Sequence, residues 1–246
     1  PALDNLLYCE EELFPLADFY LSKERWDEAI DIYKELIEIG GFEGEGAEYF
    51  QKFGYALQKR KRYAEAIEAY LKADTLKPDN IWNNRHLATC YRLNRNYEAA
   101  LTYYKKVEEA TPEASTAVFY IGSCLAELGQ YEEALNYFFK LDFIESNCVK
   151  AWRGIGWCSF ISLKYEQAMK YYEKIIEHKP LAIDYMNAGH VAWVMGNIQK
   201  AAVLYGKAIT ACGTRERFLE MFHKDEEPLL KQGIREEDIP LMLDLL

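Results

Sequence analysis

An alanine returns along this chain at a near-constant interval: Ala29, Ala66, Ala100, Ala134, Ala168 and Ala201 are 37, 34, 34, 34 and 33 residues apart. Four residues after each stands an aromatic, Tyr33, Tyr70, Tyr104, Phe138, Tyr172 and Tyr205. Three residues before each stands a large apolar residue: Trp26, Tyr63, Tyr97, Tyr131, Tyr165 and Ile198. Self-similarity at such a period marks a repeat array, in which each unit buries its apolar face only against its neighbours. Arrays of this kind generally bind other proteins and seldom catalyse.

Each period holds two apolar-periodic segments of about a dozen residues joined by a short polar turn, the length and spacing of amphipathic helices. In the fourth period the first segment runs from Ser115 to Leu128, with Val118, Ile121, Gly122 and Leu125 on one face. Gly129-Gln130 makes the turn, and the second segment runs from Tyr131 to about Phe143. Gly129, Gly196 and the pair Asn94-Arg95 supply left-handed stops after first helices. Pro78, Pro112 and Pro180 close second helices. No β-signal of comparable strength is present.

Trp152-x-x-Ile155-Gly156, then Tyr165, Ala168 and Tyr172, then Ile175 and Pro180, resembles the tetratricopeptide repeat signature. Phe50, Phe53, Gly54, Tyr63, Ala66, Tyr70, Ala73 and Pro78 repeat it, as do Leu87, Ala88, Tyr91, Tyr97, Ala100, Tyr104 and Pro112. The resemblance covers about residues 10–213 and implies an all-α, right-handed superhelical solenoid of six helix-turn-helix units with C-terminal capping helices. The expected boundaries are a lead-in over 1–9, repeats over 10–43, 47–80, 81–114, 115–148, 149–181 and 182–213, a connector over 44–46, and a cap over 214–246. The small residues Gly54, Ala88, Gly122, Gly156 and Gly189 fall where first and second helices meet, with the aromatics expected between successive units. In the cap, Asp238 reads as an N-cap with Pro240 in the first turn. The stretch Gly41–Gly46 reads as a flexible connector; with two glutamates and no lysine it is no phosphate loop.

In such arrays the first helix of each unit lines a concave groove. The resemblance places Phe14, Asp18, Gln51, Tyr55, Gln58, Trp82, Arg85, Thr89 and Arg92 on it, followed by Phe119, Ser123, Lys150, Arg153, Trp157, Phe160, Met186, His190 and Trp193. Aromatics with interleaved arginines suit a partner peptide or helix with apolar anchors and some acidic groups. Trp157, Phe160 and Trp193 are expected to open on the groove, and Trp152 to be buried. The lysine–asparagine clamp by which some tetratricopeptide proteins hold a chaperone tail has no counterpart, since Thr89 and Trp157 stand where the asparagine belongs.

Net charge is −11 and uneven, because residues 1–46 alone carry thirteen acids and three bases. That acidic end reads as a solubilising cap, or as a dock for a basic segment. Nucleic-acid binding is disfavoured without a basic face. No apolar run approaches the roughly 20 residues of a membrane span. There is no signal peptide, and the non-methionine start is read as a sign of a fragment or a processed chain. Cys90, Cys124 and Cys158 share one slot, filled by Ala56 and Val191 elsewhere, so they read as small core residues in a reducing, cytoplasmic setting. His86 and Cys90 are four apart, but no further ligand has suitable spacing, so no metal or cofactor is expected. Acid clusters such as Glu10-Glu11-Glu12 fall at helix starts or on outward faces. No nucleophile–base pair stands out. The expectation is a non-catalytic scaffold or adaptor. Its rivals are a self-assembling protein, associating through the acidic first unit or the cap, and a module of a larger chain.

Overall fold

The computed structural model describes residues 2–39 and 46–246, with side chains from residue 12 onward. The chain forms two compact units, residues 1–117 and 118–246, and every regular element among the described residues is helical. The first unit holds α1 (Ala2–Ser22), α2 (Trp26–Ile39), α3 (Gly46–Lys59), α4 (Tyr63–Leu76), α5 (Ile81–Leu93), α6 (Tyr97–Ala110) and the start of α7 (Ser115–Glu127). The second holds the rest of α7, α8 (Tyr131–Ile144), α9 (Val149–Ile161), α10 (Tyr165–Ile176), α11 (Ala182–Val194) and α12 (Ile198–Cys212). There follow α13 (Arg215–Phe222), one 3-10 turn, α14 (Glu226–Lys231) and α15 (Asp238–Asp244). Consecutive helices pack in pairs, as in a tetratricopeptide solenoid.

The same device makes each helix pair turn. Glu24, Lys61, Arg95, Gly129, Leu163 and Gly196 all take positive φ between 56° and 81°. In each case the next residue's N–H returns five residues to the first helix, for example Gln130 N to Leu125 O at 2.8 Å. That is a Schellman closure, and it reverses the chain within three residues. Only two of the six positions are glycine, so the pattern of backbone hydrogen bonds carries the turn as much as residue type does.

The periodic alanines are all fully buried, and they let the second helix approach the first. The aromatic four residues on then lies directly on its own unit's glycine. A Cβ at Gly54, Gly156 or Gly189 would come within 2.9 Å of the rings of Tyr70, Tyr172 and Tyr205 respectively. The aromatics therefore fill the space inside each pair as well as between pairs. Cys90, Cys124 and Cys158 are buried in the core. Burial pushes the thiols of Cys90 and Cys158 up to about 12.

Three details differ from the sequence reading. Helix α1 starts at Ala2, so residues 2–9 belong to the first helix and are not a separate lead-in. Asp238 is the first residue of α15 and follows its N-cap Glu237; its carboxylate is held by Arg235 at 2.7 and 2.8 Å. Of the expected connector, Gly46 opens α3, while 41–45 lie outside the described residues, as do the side chains of Glu10 and Glu11.

Candidate functional site

A tyrosine buried inside a helix pair needs a hydrogen-bond partner, and most of these take it from the first helix of their own unit. Tyr33 donates to Asp18 (2.9 Å) and Tyr70 to Gln58 (3.0 Å). The hydroxyl of Tyr104 meets Thr89 (3.2 Å), and that of Tyr205 meets His190 Nδ1 (2.8 Å). Arg92 Nε also reaches the Tyr104 oxygen at 3.4 Å. Asp18, Gln58, Thr89, Arg92 and His190 thus each have a hydrogen bond within the fold.

In residues 1–117 the open part of the first-helix face is aromatic. Trp82, 42% exposed, lies 4.0 Å from the His86 ring and 6.1 Å from Tyr55. Lys59 stands over Tyr55 at 5.1 Å and over Trp26 at 5.7 Å, a cation–π arrangement. His86 Nδ1 meets Gln58 Oε1 at 2.9 Å. Burial, with Arg85 and Lys59 nearby, depresses the imidazole to about 4, so it is neutral at physiological pH. Exposed Arg85 lines a small hollow of about 120 Å³ with Tyr104, Val107 and Thr116.

In residues 118–246 the sequence expectation needs correcting at four positions. Met186 and His190 are 0% exposed, Phe160 1% and Trp193 6%. They do not open on a groove, because the C-terminal helices lie across them. Phe222 stacks on Trp193 at 6.5 Å and meets the His190 ring at 5.4 Å. Asp225 comes within 3.4 Å of His190 Nε2. Gln232 accepts from the Tyr165 hydroxyl at 2.7 Å, and its amide reaches the Ile161 carbonyl at 3.4 Å. Phe160, Met186 and Trp193 share one core with Phe218, Leu229, Ile239 and Met242. Burial lowers the His190 pKa, and Asp225 opposes the shift.

A cleft of about 410 Å³ lies open in this unit. Helix α7 gives it Phe119 and Ser123, and α8 gives Phe138. From α9 come Lys150, Arg153, Gly154 and Trp157, and from α11 Ile183, Asp184 and Asn187. Its place follows from two substitutions in the repeat. Unit four carries Phe138 where the others carry tyrosine, so Ser123 has no phenol to meet and bonds instead to the Phe119 carbonyl at 2.9 Å. Gly154 stands where neighbouring units carry Lys52, His86, Tyr120 and Asn187, and a Cβ there would lie 2.7 Å from the Phe138 ring. Helix α9 therefore lies directly on Phe138, and no side chain from 154 enters the cleft.

The charges around the cleft are matched internally. Arg153 grips Asp184 with two bonds of 2.7 Å, and Asp184, 1% exposed, also accepts the Leu181 N–H at 2.7 Å. The hydrogen bonds that Arg153 donates to Asp184 raise its pKa. Lys150 pairs loosely with Glu145 at 3.4 Å and stands 5.6 Å from the centre of the Phe119 ring. Arg153 is thus a positioning residue for α11 and not a free cation for a partner. The repeat register places Phe119, Ser123, Lys150, Arg153 and Trp157 on this wall but not Phe138, Gly154, Ile183, Asp184 and Asn187. Comparing the slot of Gly154 across the units is the sequence signal that locates the cleft.

The chain matches the tetratricopeptide repeat family over residues 13–41, 47–80 and 88–142. No curated protein matches it in sequence. A tetratricopeptide repeat protein from Parabacteroides merdae has a similar solved structure, with a TM-score of 0.67, 20% identity, and coverage of 97% of this chain and 98% of that one. YrrB, described as a tetratricopeptide protein with an unusual peptide-binding site, superposes with a TM-score of 0.61 at 21% identity, covering 77% and 96%. PilF of Pseudomonas aeruginosa gives 0.62 at 16% identity, covering 89% and 99%. At these identities the likeness is one of fold.

Proposed function

Because this chain is a tetratricopeptide repeat protein, a fold that generally serves as a protein-interaction scaffold, we propose that it is a non-catalytic adaptor holding a partner peptide or helix on its first helices. The contact residues would be Tyr55, Trp82 and Arg85 in residues 1–117, and Phe119, Ser123 and Trp157 in residues 118–246. The observation that carries this reading is the open cleft between Phe119, Phe138 and Trp157, rings of the kind that anchor protein interfaces. A rigid wall binds by shape and pre-organisation, without ordering of its own. The same reading places the protein in the cytoplasm, where the buried thiols of Cys90, Cys124 and Cys158 would stay reduced. No helix among the described residues is long and apolar enough to cross a membrane.

Affinity capture from a source lysate tests the proposal, with wild type beside a folded Trp82→Ala/Trp157→Ala variant. A partner kept by wild type and lost by the variant supports it. Equal recovery by both would move the contact to other surfaces, and recovery of the chain alone would favour self-association. Arg153 is unsuitable for such a test, since Arg153→Glu would set two carboxylates against each other beside α11.

A further inference from the structure

Resting on that scaffold reading, we infer that the cleft of residues 118–246 takes one large uncharged side chain of a partner peptide, an aromatic or long aliphatic residue, and selects it by shape and not by charge. The floor and walls are rings and an isoleucine: Phe119, Phe138, Trp157 and Ile183. The ionic groups at the edge already answer one another, Arg153 with Asp184 and Lys150 with Glu145. An acidic side chain entering here would have to compete with the Asp184 carboxylate for Arg153, and a basic one would displace Arg153 from it. An apolar side chain meets neither cost, and it gains by covering the exposed parts of the rings.

A second observation points to a peptide and not to a small apolar molecule. Asn187 lines the cleft, and both its Oδ1 and the neighbouring Tyr172 hydroxyl are buried with no hydrogen-bond partner. Buried polar atoms are rarely left so. A peptide backbone carries an N–H and a C=O on either side of its anchor, and its N–H can donate to that amide oxygen. The occupant is therefore a main chain that drops one apolar side chain between Phe119 and Trp157. Unlike an acidic tail, it would bind with little dependence on salt.

Selection of short random peptides displayed on phage against the intact protein tests this, with binding of the recovered peptides measured by titration. The expected peptides share one aromatic or long aliphatic residue, and replacing it with alanine weakens binding about tenfold or more. Affinity should change less than about twofold between low and high salt, because no exposed charge pair is formed. Magnetisation transfer from the anchor residue should reach the protons of Phe119 and Trp157. Ser123→Phe, which fills the cleft, should abolish binding while the variant keeps its helical circular dichroism. Anchor contacts to Trp82 in place of Trp157 would overturn the inference and leave the scaffold reading standing. So would acidic peptides with a steep salt dependence, or equal binding by Ser123→Phe. Failure to recover any peptide would overturn both.

Discussion

A hydroxyl buried without a partner costs about 1–3 kcal/mol, and this constraint governs much of the first-helix face. Asp18, Thr89 and His190 each precede a tyrosine by fifteen residues, and each meets that tyrosine's hydroxyl. The spacing carries the pairing, but a repeat signature names the packed residues and leaves the polar ones to the groove. At His86 the environment also sets a pH dependence. Its pKa falls from 6.5 to about 4, chiefly through burial. Between those values the unfolded chain binds the extra proton and the native one does not, so stability is full above about pH 6.5 and declines as pH falls towards 4. His86→Gln should flatten that part of the melting-temperature profile, and an unchanged slope would assign the acid sensitivity to other groups. Gly196 offers a test of backbone strain alone: its φ is 81°, and a Cβ there would meet no atom within 4 Å. Gly196→Ala should therefore destabilise by about 1 kcal/mol in urea titration, the cost of a left-handed alanine. A variant of wild-type stability would show that this turn holds a Cβ in the left-handed region without cost, as Leu163 stands at φ 62° in its own turn.

Among the elements, α13 occupies the position of a first helix in a seventh unit. It begins at Arg215, 33 residues after Ala182 opens α11, and it packs on both α11 and α12. In that register Phe222 falls where Gly189 stands in the unit before. A phenylalanine there leaves no room for a second helix to close on the first, so the array ends and the chain folds back. The six pairs were legible because alanine, glycine and aromatic recur at fixed offsets. The burial of Phe160, Met186, His190 and Trp193 was not, because it depends on α13 and α14, whose sequences lack the repeat. Phe222 is fully buried against His190, Trp193, Tyr205 and Phe218. Truncation by Phe222→Ala should cost about 3–5 kcal/mol, the usual figure for a core phenylalanine. Tryptophan emission should shift to the red as water reaches Trp193. If Phe222→Ala melts at the wild-type temperature, the C-terminal helices are an accessory and not part of the core.

At the scale of the whole molecule the uneven charge sets two electrostatic effects against each other. Thirteen acids and three bases crowd residues 1–46, whereas the remaining 200 residues are almost balanced. Crowded like charge destabilises the compact state, and the repulsion is screened over about 8–10 Å at physiological salt. Against it stand exposed ion pairs such as Arg25–Glu28, Arg60–Asp27 and Lys164–Glu132. Each contributes only about 0–1 kcal/mol and is weakened by the same salt. The excess of acids should win. Raising sodium chloride from about 10 to about 150 mM should raise the melting temperature by a few degrees, since the Debye length shrinks from near 30 to near 8 Å. Replacing Asp4, Glu10, Glu11 and Glu12 by their amides should raise the low-salt melting temperature and remove most of the salt response. A melting temperature that falls with salt would mean that the ion pairs outweigh the acidic excess.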